Sequence, residues 1–142
     1  MKPNPTRPIV LIEDNPMDVD LTLRALRRRR LTNTIQIARD GEEALQCVEQ
    51  WDKGAPIPVV VLLDLKLPRI GGLEVLRRIK SHPDYASIPV VVLTTSRDDG
   101  DVKTAYQHGA NSYIVKPVDF EKFLEVAAQI ELYWTVLNEQ PS

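Results

Sequence analysis

Two runs, VVVLL at 59–63 and VVVL at 90–93, are apolar at every position and built only of branched residues. A strand with one wet face alternates polar and apolar residues, so uniform runs of this length imply strands covered on both faces. Helices must then pack on either side of the sheet. The rest of the chain fits that requirement, because short apolar runs alternate five times with longer amphipathic segments from Pro8 onward. The strands are expected at Ile9 to Ile12, Thr34 to Ala38, Val59 to Leu63, Val90 to Leu93 and Ser112 to Val115. The helices are expected at about 17–30, 41–51, 72–80, 99–108 and 119–138. This rhythm means an α/β chain with a parallel sheet.

Punctuation supports these limits. Asp40-Gly41 and Gly71-Gly72 precede two helices, His82-Pro83 and Gly109 follow two others, and Asp119 is placed to cap the last. Gly54, Pro56 and Pro58 read as a loop before the third strand. No long polar or repetitive stretch separates a second unit, so all 142 residues are expected to form one domain with its core over about 8–137.

Composition excludes several classes of function. With 43% hydrophobic and 27% charged residues, the chain has the balance of a soluble globular protein. A formal net charge of −2 gives no reason to expect nucleic acid or an anionic membrane as main partner. The local exception is Arg27 to Arg30, which reads as a solvated helix end where cations meet the helix dipole, with a docking patch as the alternative. A single cysteine, Cys47, cannot form an intramolecular disulfide and fits a reducing compartment. The N-terminus MKPNPTRP lacks the apolar segment of a signal peptide, and no run is long enough to span a membrane, so cytoplasmic residence is expected.

In an open parallel sheet, functional groups gather outside the carboxyl ends of the strands. Glu13 and Asp14 follow the first strand and Asp64 the third. Three converging carboxylates repel one another unless a hard cation holds them, and Mg²⁺ suits such a set because it accepts carboxylates, water and phosphate oxygens. Thr94 and Thr95 follow the fourth strand, and Lys116-Pro117 the fifth. A carboxylate nucleophile, a divalent cation, a hydroxyl and an ammonium together can stabilise a phosphoryl group passing onto Asp64. Each piece alone is an ordinary cap or turn. Their order across the ends of four different strands points to an aspartyl phosphate.

The segments LIEDNPMD, VLLDLKLPRIGGLEVL, PVVVLTTS and GANSYIVKP resemble the successive motifs of the response-regulator receiver family, over about Pro8 to Leu137. The resemblance implies a flavodoxin-like, doubly wound (βα)5 sandwich with strand order 2-1-3-4-5. It implies that Asp64 accepts a phosphoryl group from the phosphohistidine of a histidine kinase. Asp14 would join Asp64 in ligating Mg²⁺ directly, Glu13 would act directly or through water, and the Lys66 backbone carbonyl would complete the protein ligands. Lys116 would pair with the phosphoryl group, the Thr94 hydroxyl would move to bond it, and Tyr113 would turn inward as Thr94 moves. Pro117 would follow a cis peptide bond. The EDNPMD opening, the extended loop before the third strand, HPDYASIPVVVLTTS and the late Tyr-Trp pair look closest to single-domain regulators paired with bacterial phytochromes and related kinases.

Some positions depart from the family pattern. Gly71 stands where many members carry an acidic residue. Lys66 and Ser96 border the phosphoryl position without offering a carboxylate or amide to orient water, so slow autodephosphorylation is expected. After the fifth helix only a polar tail, 138–142, remains, and output is expected to pass through binding. Val126, Ile130, Tyr133 and Leu137 fall on one stripe of that long helix, with Trp134 beside it, which suggests a homodimer interface. Burial of the same residues in the domain's own core is the alternative.

Three rival readings remain. A haloacid-dehalogenase-type phosphatase also uses an Asp nucleophile, but it needs a second acid two residues later, where Lys66 stands. A degenerate receiver would serve only as a binding module, yet Glu13, Asp14, Asp64, Thr94 and Lys116 are all present. A DNA-binding reading rests on Arg27 to Arg30 alone.

Overall fold

The computed structural model describes residues 7–116 and 119–139, with side chains described as far as Leu132. Five parallel strands alternate with five helices: β1 (Ile9–Ile12), α1 (Pro16–Arg28), β2 (Ile35–Ala38), α2 (Gly41–Asp52), β3 (Val60–Leu63), α3 (Gly72–Ser81), β4 (Val90–Thr94), α4 (Asp99–Gln107), β5 (Ser112–Val115) and α5 (Phe120–Glu139). The sheet order is β2-β1-β3-β4-β5, as the resemblance implied.

The three central strands are buried at every position, whereas the edge strands β2 and β5 are only partly covered. Side-chain alternation divides the core in two. Val10, Ile12, Val61, Leu63, Val90 and Val92 pack with Ala44, Trp51, Val75, Leu76 and Ile79 from α2 and α3 and with Ala105 from α4. Ile9, Leu11, Val60, Leu62, Val91 and Leu93 face Val19, Ala25 and Leu26 of α1 and Phe123, Val126, Ala127 and Ile130 of α5. Burying each such Val, Leu or Ile contributes about 1.5–3 kcal/mol, so this double-sided core dominates folding.

Helix ends account for most of the small differences from the sequence-based limits. Asn15 caps α1 by accepting from the Met17 and Asp18 N–H groups, and Pro16 fits the first turn because its missing N–H has no partner to lose there. The expected extension of α1 to residue 30 fails because Arg30 adopts φ 61°, and the Leu31 N–H closes back on the Leu26 carbonyl at 3.1 Å. This is a left-handed helix stop made without glycine, a feature that the Arg run concealed. Asp40 caps α2 through Glu43 N–H, and Asp119 caps α5 through Lys122 N–H, both at 2.8 Å.

Register brings the carboxyl ends of the central strands level. Ile12 lies opposite both Ala38 and Leu63, Leu63 lies opposite Val92, and Thr94 lies opposite Val115. Hydrogen bonds from Asp64 N–H to the Ile12 carbonyl at 3.0 Å and from Lys116 N–H to the Thr94 carbonyl at 2.6 Å carry that alignment one residue past the strands.

The turn after β3 is held by Gly72, whose N–H donates to the Leu65 carbonyl at 2.9 Å. A methyl group at Gly72 would collide with the Asp64 carbonyl and the Leu65 Cα, both backbone atoms, whereas one at Gly71 meets only the Leu65 oxygen at 4.0 Å. The neighbouring glycines therefore differ in kind. Gly72→Ala is expected to cost about 1–3 kcal/mol in urea denaturation, the usual penalty of forced overpacking. Gly71→Ala should stay within about 0.5 kcal/mol of wild type. Equal effects of the two changes would contradict this packing account.

Candidate functional site

The strand ends form a cleft in which ionisable side chains are buried without being isolated. Relative exposure is 4% for Glu13, 7% for Asp64, 0% for Thr94 and 4% for Lys116, while Asp14 is exposed. Buried charges persist only when paired or hydrogen-bonded, and Lys116 supplies the pairing. Its Nζ donates to Glu13 Oε1 and to Asp18 Oδ2, each at 2.7 Å, and lies 3.4 Å from Asp64 Oδ2. The other Asp64 oxygen, Oδ1, accepts from Lys66 N–H at 3.1 Å, and Glu13 Oε2 accepts from Asn15 N–H at 3.2 Å.

Glu13, Asp14 and Asp64 each offer a carboxylate oxygen, and these atoms lie within 4.8 Å of one another. That spacing and an all-oxygen donor set fit a hard divalent cation. Burial, ahead of every other influence, pushes the Glu13 carboxyl up to about 7; the Asp64 charge adds to the rise, while Lys116 and Asn15 N–H oppose it. For Lys116, burial acts to lower the ammonium, but hydrogen bonds to Asp18 and Glu13 and the charges of Glu13 and Asp64 outweigh it and raise its pKa. The ammonium stays charged, and the surplus negative charge around it is what a cation would offset.

Thr94 ends β4 with its hydroxyl accepting a long, 3.4 Å bond from Ser96 N–H. Tyr113, half-buried on β5 and packed against the α2–α3–α4 side of the core, donates its hydroxyl to the Ser96 carbonyl at 3.0 Å. The Ser96 hydroxyl in turn donates to Asp101 Oδ2 on α4 at 2.5 Å and accepts from Asp98 N–H at 3.3 Å. The loop after β4 thus ties Thr94, Tyr113 and α4 together.

Glu13, Asp14, Asp64 and Lys116 come together in the cleft, and Lys66 meets Asp64 through its backbone N–H, whereas the group expected to ligate a cation was its carbonyl. Two members went unread. Asp18 reaches Lys116 from the first turn of α1, and Asp101 reaches Ser96 from the first turn of α4. In each case the signal was an acid near a helix N-terminus, which by itself reads as dipole compensation. The expected interface stripe on α5 needs correction. Val126 and Ile130 are 5% and 1% exposed and belong to the core against α1 and the sheet, so Ile130 has no free surface to offer. The side chains of Tyr133, Trp134 and Leu137 lie outside the described residues, as does Pro117 with its expected cis bond.

Residues 9–128 match the family described as the response regulator receiver domain. The chain belongs to that family. Among curated relatives, this receiver is 42% identical over 134 residues to the probable methanogenesis regulatory protein FilR2 of Methanothrix harundinacea, covering 94% of this chain and 86% of the relative. It is 37% identical over 133 residues to response regulator Rcp1 of Synechocystis sp., covering 92% and 90%. Among solved structures, the phosphorylated cyanobacterial phytochrome response regulator RcpA superposes with a TM-score of 0.83 at 36% identity, covering 96% of this chain and 99% of that one. The Mn²⁺-bound form of Rcp1 superposes with a TM-score of 0.80 at 35% identity, covering 96% and 97%. The receiver's role is phosphorelay signal transduction, the role of its family. Among the described residues, no helix is long and apolar enough to cross a membrane.

The raised Glu13 carboxyl sets a pH dependence for cation binding. Below about 7 the side chain holds a proton that a cation must displace, and above it the carboxylate is already free. Affinity for Mn²⁺, followed by its electron paramagnetic resonance signal, should therefore fall as pH drops from 8 to 6, by up to about tenfold per unit below the midpoint. An affinity that is flat across this range would contradict the assignment of Glu13 to the cation site.

Proposed function

We propose that Asp64 is the phosphoacceptor of a stand-alone response regulator that receives its phosphoryl group from a sensor histidine kinase. An Asp64 carboxylate oxygen attacks phosphorus, the P–N bond of the donor's phosphohistidine breaks, and the imidazole nitrogen leaves with the electron pair. An acyl phosphate remains on Asp64. The single observation that best supports this reading is the meeting of Asp64 with Glu13, Asp14 and Lys116 in one cleft, with three carboxylates within 4.8 Å and an ammonium at 3.4 Å.

Glu13, Asp14, Asp64 and the Lys66 backbone carbonyl would hold Mg²⁺, which supplies charge neutralisation for the phosphoryl oxygens when bound. Lys116 carries a fixed positive charge against the same oxygens. Thr94, at the end of β4, is the hydroxyl that moves to the phosphoryl group. Tyr113, hydrogen-bonded to the same loop, is the residue that responds. The protein turns over no separate substrate; its chemistry is its own phosphorylation and hydrolysis.

The kinase partner is of the phytochrome type, a reading supported by the likeness to the cyanobacterial phytochrome response regulator RcpA, and the protein works in the cytoplasm as one receiver domain. Its output is a protein–protein contact, with a second copy of the chain meeting it through the end of α5. Leu132, 65% exposed on that part of the helix, supports the contact. A binding module that never takes phosphate is the alternative, and the intact acid pocket speaks against it.

The test combines intact mass with size-exclusion light scattering on wild type and Asp64→Asn, in Mg²⁺ and acetyl phosphate. Wild type should gain one phosphoryl group and Asp64→Asn none; absence on the first or presence on the second would refute the assignment. A change in solution mass on phosphorylation would identify the dimer as the output. The phosphoryl lifetime supplies a further check. Lys66 and Ser96 carry no carboxylate or amide, and the Ser96 hydroxyl is already given to Asp101, so nothing there orients the attacking water. The phosphorylated protein should persist for minutes or longer; a half-life of seconds would count against this account.

A further inference from the structure

We infer that Asp18 is a positioning residue for phosphoryl transfer, holding Lys116 so that one of its N–H groups stays directed at the acceptor. The inference rests on the reading of Asp64 as the phosphoacceptor. An ammonium has three donors, and here three carboxylates surround it. Glu13 and Asp18 take two donors in short bonds of 2.7 Å, which leaves the third toward Asp64 Oδ2 at 3.4 Å. That longer gap lies on the side where a phosphoryl oxygen would be added.

The three carboxylates are not equivalent. Glu13 and Asp64 belong to the cluster that could hold a cation, and Asp18 does not. A cation in that cluster draws Glu13 and Asp64 lone pairs toward itself and weakens their hold on Lys116. Asp18 is the partner that need not be shared. It is also well fixed, because its own N–H is capped by Asn15, its carbonyl accepts the Thr22 hydroxyl at 2.7 Å, and Pro16 stiffens the first turn of α1. Its side chain is 26% exposed, against 4% for Lys116, so it holds the ammonium from the solvent edge of the cleft.

Without Asp18, a flexible four-carbon stem must find the phosphoryl group from many orientations, and small misplacements of a catalytic charge cost one or two orders of magnitude in rate. Asn keeps an oxygen acceptor at the same place; Ala does not.

The experiment measures phosphorylation by acetyl phosphate at saturating Mg²⁺, with Asp18→Ala, Asp18→Asn, Lys116→Ala and the Asp18→Ala/Lys116→Ala double variant beside wild type. Asp18→Ala should be slower by about tenfold. Asp18→Asn should recover to within about threefold of wild type, and Asp18→Ala should add nothing in the Lys116→Ala background, since both changes remove one coupled device. An unchanged or faster Asp18→Ala, equal losses in Ala and Asn, or an undiminished Asp18→Ala effect without Lys116 would each overturn the inference. A second measurement is independent of phosphorylation: the ¹⁵Nζ resonance of Lys116 in the Mg²⁺-bound, unphosphorylated protein. Slow proton exchange at that ammonium in wild type and Asp18→Asn, lost in Asp18→Ala, supports the anchor; equal exchange in all three refutes it. Failure of wild type itself to take up phosphate would overturn the proposed function, and the anchor would still be decided by that resonance.

Discussion

The Lys116 ammonium, 4% exposed, is held between Glu13 and Asp18 and faces Asp64. Taking such charges out of water costs several kcal/mol per ion, and it is tolerated only where geometry and further hydrogen bonds return the loss. Here they do: backbone N–H groups of Asn15 and Lys66 satisfy the remaining oxygens of Glu13 and Asp64. The arrangement is nevertheless unbalanced, with three carboxylates against one ammonium and Asp14 adding a fourth negative charge nearby. A cleft left with surplus negative charge gains from a divalent cation, and only with that cation present does a further anionic group become tolerable. Burial, pairing and function are thus consequences of one electrostatic deficit.

Nothing in that cleft would coincide without the sheet beneath it. Hydrogen-bond register fixes where each strand stops, and a slip of one residue would move every side chain to the opposite face. Uniformly apolar central strands would seem indifferent to such a slip. The two core layers are not, because α1 and α5 fill one face while α2, α3 and α4 fill the other with different shapes. Gly72 adds a local lock, since its backbone sits against Asp64 and Leu65 where no side chain fits. The stability of the core and the placement of Asp64 are therefore one problem.

Much of this was legible in the chain. Strand runs with no polar residue announced a covered parallel sheet, and the acids, hydroxyl and lysine placed just beyond those runs announced the cleft. What escaped reading shares a physical cause. Asp18 and Asp101 are short acids near helix N-termini, where a generic dipole role already accounts for them, and only three-dimensional proximity reveals Lys116 and Ser96 as their partners. Arg30 was hidden inside a run of helix-forming residues because a left-handed stop usually advertises itself with glycine. Ile130 failed in the opposite direction. An apolar stripe on a long helix looks the same whether it meets a partner or its own sheet, and the first two turns of that stripe meet the sheet.

The connection from cleft to surface runs through the loop after β4. Tyr113 donates to the Ser96 carbonyl, Ser96 donates to Asp101 on α4, and Thr94 begins the same segment. Any displacement of the Thr94 hydroxyl toward Asp64 must alter the Ser96 backbone N–H that leans on it, and with it the carbonyl that holds Tyr113. The neutral bonds are each worth about 0.5–1.5 kcal/mol net, and the charge-assisted one to Asp101 about 1.5–3 kcal/mol. Couplings between distant sites commonly amount to about 1–3 kcal/mol, so two or three such bonds exchanged together suffice to bias a two-state equilibrium. The long 3.4 Å contact from Ser96 N–H to Thr94 is the weakest of the set. A device meant to yield at the cleft first and at α4 last would have its bonds graded in that order, short and charge-assisted at Asp101 and long at Thr94.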